Sequence, residues 1–144
     1  MILPDVNTLI YAFRADAPHH ATSRRWLTSV MSGDAVFGVS PLVLGAVIRI
    51  TTNRTAFIEP SQPEEAFRFC DYLLAHPRCQ RVEPGARHWD IFMRLCIATN
   101  TRGRRVTDAW FAALAIEWAC EWITFDADFA RFPGLKWQRP SELS

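Results

Sequence analysis

Short apolar runs alternate along the chain with stretches whose apolar residues recur at helical spacing, and Ser, Asn, Pro or Gly marks most of the changes of period. Ile2 and Leu3, extended as far as Val6, read as a first strand, short and apolar as a buried parallel strand is. Asn7 stands where it can cap a helix reaching about Phe13. Pro18 opens a second helix, carrying Trp26, Leu27, Val30 and Met31, which Gly33 and Asp34 end. Residues 36–39 form the next strand, and Ser40 with Pro41 makes an N-cap and first helical position for a helix over 42–52. Residues 53–60 read as a surface loop. Ser61 with Glu64 has the spacing of a capping box, and the helix after it presents Ala66, Phe67, Cys70, Leu73 and Leu74 as its apolar face, stopping before Pro77. A third strand covers 80–82, and Pro84 and Gly85 make a turn. Trp89, Phe92, Met93 and Cys96 mark the inner face of a helix ending near Asn100. A basic loop over 101–105 leads to Thr107, the expected N-cap of a buried helix over 109–120. A fourth strand over 122–125, a polar corner over 126–129, a turn at Pro133 and Gly134, and a last strand over 135–138 complete the chain.

Strands alternating with helices predict an α/β domain around a mostly parallel sheet of about five strands. With 144 residues, the chain has the length of one domain over 1–144, and folding at that size buries roughly 70% of the unfolded surface. Hydrophobic residues make up 49% and charged residues 22%, which excludes the charge-biased composition of disorder. Cys70, Cys79, Cys96 and Cys120 form no C-x-x-C pair and sit beside apolar residues, so they are expected as reduced thiols of the core. No basic leader precedes the first apolar run, and no stretch nears the roughly 20 apolar residues of a membrane span. A cytoplasmic protein without a membrane partner is expected.

The formal net charge is only +1, so the molecule as a whole exerts no strong pull on nucleic acid. Its cations are nonetheless unusual in kind. All but Lys136 are arginine, the side chain suited to bidentate phosphate contacts and base stacking, although gene composition gives the same bias.

In open parallel sheets, ligands bind beyond the carboxyl ends of the strands. Asp5 follows the first strand, Asp108 begins the buried helix, and Asp126 with Asp128 follows the fourth strand. If these strands are neighbours, the carboxylates share one small volume, where two charges about 4 Å apart repel by roughly 4 kcal/mol at an effective dielectric of 20. A cation relieves that repulsion, and hard oxygen ligands select Mg²⁺ or Mn²⁺. Such an ion activates a water and neutralises an attacked phosphate, so phosphodiester hydrolysis needs no histidine or serine base. The four histidines have no H-E-x-x-H spacing, and His19 and His20 read as a polar helix start. Other readings stand beside these: Asp108 as a first-turn acid favouring the helix dipole, Asp126 and Asp128 as turn residues. Asp5 is different, because an acid straight after a buried strand is costly to desolvate without a partner.

Leu3-Pro4-Asp5-Val6-Asn7-Thr8-Leu9-Ile10-Tyr11, Leu42-Val43-Leu44 running to Arg49-Ile50-Thr51-Thr52-Asn53, Val106-Thr107-Asp108-Ala109, and Thr124-Phe125-Asp126-Ala127-Asp128-Phe129 with Phe132-Pro133-Gly134-Leu135 resemble, in order, the VapC toxins of the PIN-domain nucleases. The resemblance implies a three-layer α/β/α fold and an Mg²⁺-dependent endoribonuclease, the toxin of a type II toxin-antitoxin pair. It also implies a cognate VapB-type antitoxin and a homodimer. By motif, Asp5 and Asp108 are the principal metal ligands, Asp126 a further acid, and Asp128 an adjacent candidate acting directly or through water. One departure matters: the glutamate many PIN domains carry on the helix after the second strand falls at Ala46, or at Gly45 in the other register. That gap implies a metal site completed differently and leaves open one ion or two.

Arg102, Arg104 and Arg105 precede Asp108 and are candidates for holding RNA phosphates, or simply a solvated loop. Trp110 and Trp118 lie on the alanine-rich helix, where core or dimer-interface roles are expected. Two rivals remain. Asp5-Val6-Asn7-Thr8 is similar to the nucleophile motif of haloacid-dehalogenase-like phosphatases, but that site needs a lysine before its acidic pair, and Lys136 comes after it. The other is a non-catalytic module of the PIN fold that binds RNA or protein.

Overall fold

Asp5 separates the first two elements of the computed structural model, which describes residues 1–140. β1 (Ile2–Pro4) buries Leu3 completely, and α1 (Val6–Phe13) starts immediately after Asp5. Asp5 is itself the N-cap, its Oδ1 accepting from the Val6 amide at 2.6 Å. Asn7 therefore does not cap this helix; it sits in the first turn and reaches across to Thr124 and Phe125.

α2 (His20–Ser32) begins later than Pro18, after His19 in the left-handed region at φ 57°, and ends at Gly33 as expected. β2 (Phe37–Val39) is wholly buried. Ser40 caps α3 (Pro41–Thr51) through the Val43 amide, with Pro41 leading the helix. α4 (Pro63–Leu74) uses the box one residue later than expected: Glu65, not Glu64, accepts from the backbone of Gln62. Ser61 instead turns its hydroxyl to Arg14. Phe67 is exposed on α4, while Phe69 lies partly buried against the core.

β3 (Cys79–Arg81) leads to α5 (His88–Thr99), where half of the expected inner face turns inward, Phe92 and Cys96 packing partly buried against the core. His88 and Leu95 are buried, whereas Trp89, Met93 and Ile97 face outward. A 3₁₀ turn (Gly103–Arg105) runs directly into α6 (Val106–Glu117), so Thr107 lies within the first turn and is not its cap. β4 (Glu121–Ile123) and β5 (Trp137–Gln138) are shorter than the apolar runs suggested. Cys70 and Cys120 are buried, Cys79 and Cys96 partly so, and all four are free.

Every strand pairing is parallel: β1 with β4, β4 with β5, and β2 with β3. The two hydrogen-bonded pieces adjoin at β1 and β2, because a Cβ on Gly38 would lie 3.3 Å from the Ile2 carbonyl. The strands thus run in the order β3, β2, β1, β4, β5. Around them α1 packs against both α2 and α3, α3 against α4, and α5 lies along α6, which rests on β4. α6 is buried almost all round, its alanines allowing close approach.

Gly38 is glycine because of that join: an added Cβ would also come 2.8 Å from Val82 Cγ2. Gly38→Ala is expected to lower stability by about 1 to 3 kcal/mol, the usual cost of overpacking, as read by urea unfolding. An unchanged midpoint would mean that the strands part easily here.

Candidate active site

Chain order reverses at β1, with β2 on one side and β4 on the other, and such a switch point opens a crevice beyond the strand ends. Three acids reach this place by separate routes. Asp5 leaves the end of β1, Asp126 follows β4 by way of Thr124, and Asp108 stands in the first turn of α6. All three line one cleft of about 470 Å³, whose walls include Asn7, Ala46, Arg49 and Phe57.

Asp5 is only 6% exposed. Its Oδ2 accepts from the Thr124 hydroxyl at 2.7 Å, and the Val6 amide holds Oδ1. Burial still outweighs these bonds and pushes its pKa up to about 6, with the charges of Asp108 and Asp126 adding to the rise. Asp108 is also raised, chiefly by burial, and Arg131 partly offsets the effect. The Arg131 Nη2 lies 3.6 Å from Asp108 Oδ2, within ion-pair range but too far for a hydrogen bond. Asp126 caps the 3₁₀ turn (Ala127–Arg131) by accepting from the Asp128 amide at 2.9 Å.

Asp128 does not join them. Its side chain is 59% exposed and pairs with Arg105 at 3.5 Å, and it is not among the residues lining the cleft. Of the other candidates, Arg105 is close enough for its charge to lower the pKa of Asp108, Arg102 donates to Asn100, and Arg104 is exposed. His19 stacks on Phe125 and His20 bonds the Tyr11 carbonyl, so neither faces the acids as a ligand pair. Trp110 and Trp118 lie partly buried against the core.

Four cleft or near-cleft residues escaped the sequence reading. Thr124 is fully buried, and its hydroxyl ties Asp5 to the Asp126 amide, from which it accepts at 3.0 Å. Asn7 joins the same network, accepting from the Phe125 amide. Arg49 lines the cleft beside Ala46, and Arg131 reaches Asp108. Position 7 was visible as a polar residue after a strand and Thr124 as part of a motif, but no local pattern showed that they meet.

A divalent ion suits this donor set. The ligands are hard oxygens, the buried Asp5 carboxylate is short of positive partners, and its neighbours' charges disfavour ionisation. Among the described residues, no three acidic, histidine or cysteine side chains stand close enough together to hold an ion between them, so the three aspartates share the cleft without forming a closed cage. Mg²⁺ commonly takes one or two carboxylates and keeps several waters, so Asp5 and Asp108 with Asp126 nearby are a compatible set. No acid stands at 45 or 46, and Ala46 lies in the wall of the cleft that the three aspartates line.

A family model for the PIN domain matches residues 2–135. Ribonuclease VapC43 of Mycobacterium tuberculosis is 41% identical over 140 residues, covering 97% of this chain and 95% of that protein. Ribonuclease VapC25 of the same species is 38% identical over 97% of this chain and 99% of its own. Among solved structures, VapBC2 from Rickettsia felis, bound to a DNA fragment from its promoter, superposes with a TM-score of 0.70 at 17% identity, covering 96% of this chain and 98% of that one. VapC20 of Mycobacterium tuberculosis, described as a sarcin-ricin loop cleaving toxin, gives 0.67 at 19% identity, covering 94% and 98%. The fold is the one read from the sequence, and the chain belongs to the PIN-domain family, among the VapC ribonucleases.

Proposed function

We propose that the chain is the toxin of a type II toxin-antitoxin pair, a metal-dependent endoribonuclease whose ion is Mg²⁺ or, in its place, Mn²⁺. The observation that carries this reading is the meeting of Asp5, Asp108 and Asp126 at the switch point of the sheet, with Asp5 buried and poor in compensating charge. Asp5 and Asp108 hold the ion, and Asp126 is the further acid of the site. Asp128 stays outside the set and steadies Arg105. A divalent ion held there lowers the pKa of water and neutralises charge on the attacked phosphodiester.

The remaining work falls to the chain. Thr124 orients the Asp5 carboxylate and fixes the backbone of Asp126. Asp126, which lines the same cleft and is not assigned to the ion, would accept a proton from an attacking water. Arg49 in the cleft wall and Arg105 at the start of α6 offer guanidiniums to RNA phosphates, with Arg102 and Arg104 further along the same loop.

Purified protein freed of antitoxin should therefore cut total bacterial RNA into discrete fragments when Mg²⁺ or Mn²⁺ is present. Chelation, Asp108→Ala, or addition of a cognate VapB-type antitoxin should each stop it. RNA bound in a salt-dependent way but left intact across active preparations would favour the non-catalytic module instead.

A homodimer belongs to the same proposal. Trp89, Met93 and Ile97 form an outward apolar stripe at helical spacing on α5, and such a patch favours an interface. Ile97→Glu is expected to shift the protein toward monomer in light scattering; an unaltered mass would place the interface elsewhere.

A further inference from the structure

We infer that Arg131 is the residue that positions the scissile phosphate, and that in the metal-free protein its guanidinium takes the place of the ion beside Asp108. The inference rests on the ribonuclease reading and adds a residue to that site.

Arg131 stands behind Asp108, just outside the cleft lining, and is firmly held. Its Nη1 donates to the Asp128 carbonyl at 2.8 Å, and its guanidinium carbon sits 4.3 Å over the Phe132 ring, itself buried in the core. These contacts fix the plane of the fork and leave Nη2 with only its long ion pair to Asp108, whose pKa it lowers. Nη2 is buried, has no hydrogen-bond partner among the described residues, and lies 3.6 Å from Asp108 Oδ2. A buried donor without a partner carries a desolvation cost that structures seldom leave uncompensated. An oxyanion arriving next to Asp108 would supply the missing acceptor.

Charge gives the same answer. RNA reaching this cleft brings a phosphodiester against three carboxylates, which repel it. A dication with the guanidiniums of Arg49 and Arg131 outweighs three ionised carboxylates by one positive charge, the complement of one phosphodiester. Without the dication the cleft repels the substrate, and Arg131 is then drawn to Asp108. Planar, bidentate and always charged, arginine suits this role better than lysine.

The two states give Arg131 opposite effects on metal and on RNA, and a residue that merely supports the fold would not show that split. Calorimetric titration of the antitoxin-free protein with Mn²⁺ alone, followed by steady-state cleavage of one RNA, separates them. Arg131→Gln is expected to bind Mn²⁺ about fivefold tighter, because a competing cation is gone. Its kcat is expected to fall about 10²- to 10³-fold, the usual loss of one preorganised donor to a developing oxyanion. Arg131→Lys keeps the charge without the fork, and should hold Mn²⁺ as the natural protein does while recovering only part of kcat. Cleavage within a few-fold of the natural rate in Arg131→Gln would overturn the inference, as would weaker Mn²⁺ binding in that variant. Should the natural protein cut no RNA at all, the ribonuclease reading fails, and the Mn²⁺ titration still decides whether Arg131 competes for Asp108.

Discussion

Asp5→Asn is expected to abolish RNA cleavage and, at neutral pH without metal, to leave a more stable protein than the natural chain. The carboxylate is buried at the end of β1 with its pKa raised to about 6 from the 3.8 of an exposed aspartate. Between those values the folded state binds more protons than the unfolded state, so stability falls as pH rises from about 4 to about 6 and is level above. The gap corresponds to an order of 3 kcal/mol at pH 7. Asparagine cannot ionise, and it is as good an N-cap as aspartate for the Val6 amide. Thermal unfolding in chelator should show the two proteins close together near pH 4 and the variant ahead by pH 7. Saturating Mg²⁺ should reverse that order, because only the natural protein gains the binding energy of the ion. A variant that remains toxic and cuts RNA would remove Asp5 from the chemistry. One that is less stable than the natural chain at pH 7 would mean that the bonds to Thr124 and Val6 outweigh the burial.

The trade between stability and activity at Asp5 was half legible in the sequence. An acid after a short apolar run is conspicuous, and two acids after strands with a third at the start of a buried helix are enough to suggest an ion. The supporting shell was not legible, because its contacts join residues far apart in the chain: Thr124 meets Asp5 across 119 positions and Phe125 meets Asn7 across 118. Local rules also failed where two registers satisfy them equally. Ser61 with Glu64 and Gln62 with Glu65 both fit the capping-box spacing, and the second is used because Ser61 is engaged by Arg14. On α5, apolar residues occupy nearly every side, so spacing cannot say which stripe turns inward; the neighbouring α6 decides, taking His88 against the Trp110 carbonyl at 3.0 Å. The outward Trp89 and Met93 then become surface that a partner can cover.

Thr124→Val tests the hidden shell directly, since it removes one hydroxyl whose contacts no sequence pattern showed and changes the side-chain shape little. That hydroxyl donates to Asp5 Oδ2 at 2.7 Å and accepts from the Asp126 amide at 3.0 Å, in a fully buried position. Its loss removes a hydrogen bond to a charged group, costing about 1.5 to 3 kcal/mol, and frees both acids to reorient. Outer-shell partners of metal ligands commonly matter 10- to 100-fold, so cleavage at limiting Mg²⁺ is expected to fall by about that factor. High Mg²⁺ should restore part of the rate, which separates a weakened site from a damaged fold. The pH profile gives a further sign. The Thr124 bond holds the Asp5 pKa down against its burial, so removing it raises that pKa. If the ionised form is the one that binds the ion, the acid limb of the rate profile moves to higher pH. Thr124→Ser keeps the hydroxyl and should return rate, metal dependence and profile together toward those of the natural chain. Valine at 124 with full activity and an unmoved acid limb would show that Asp5 is positioned by its backbone alone, with the Val6 amide as its sufficient partner.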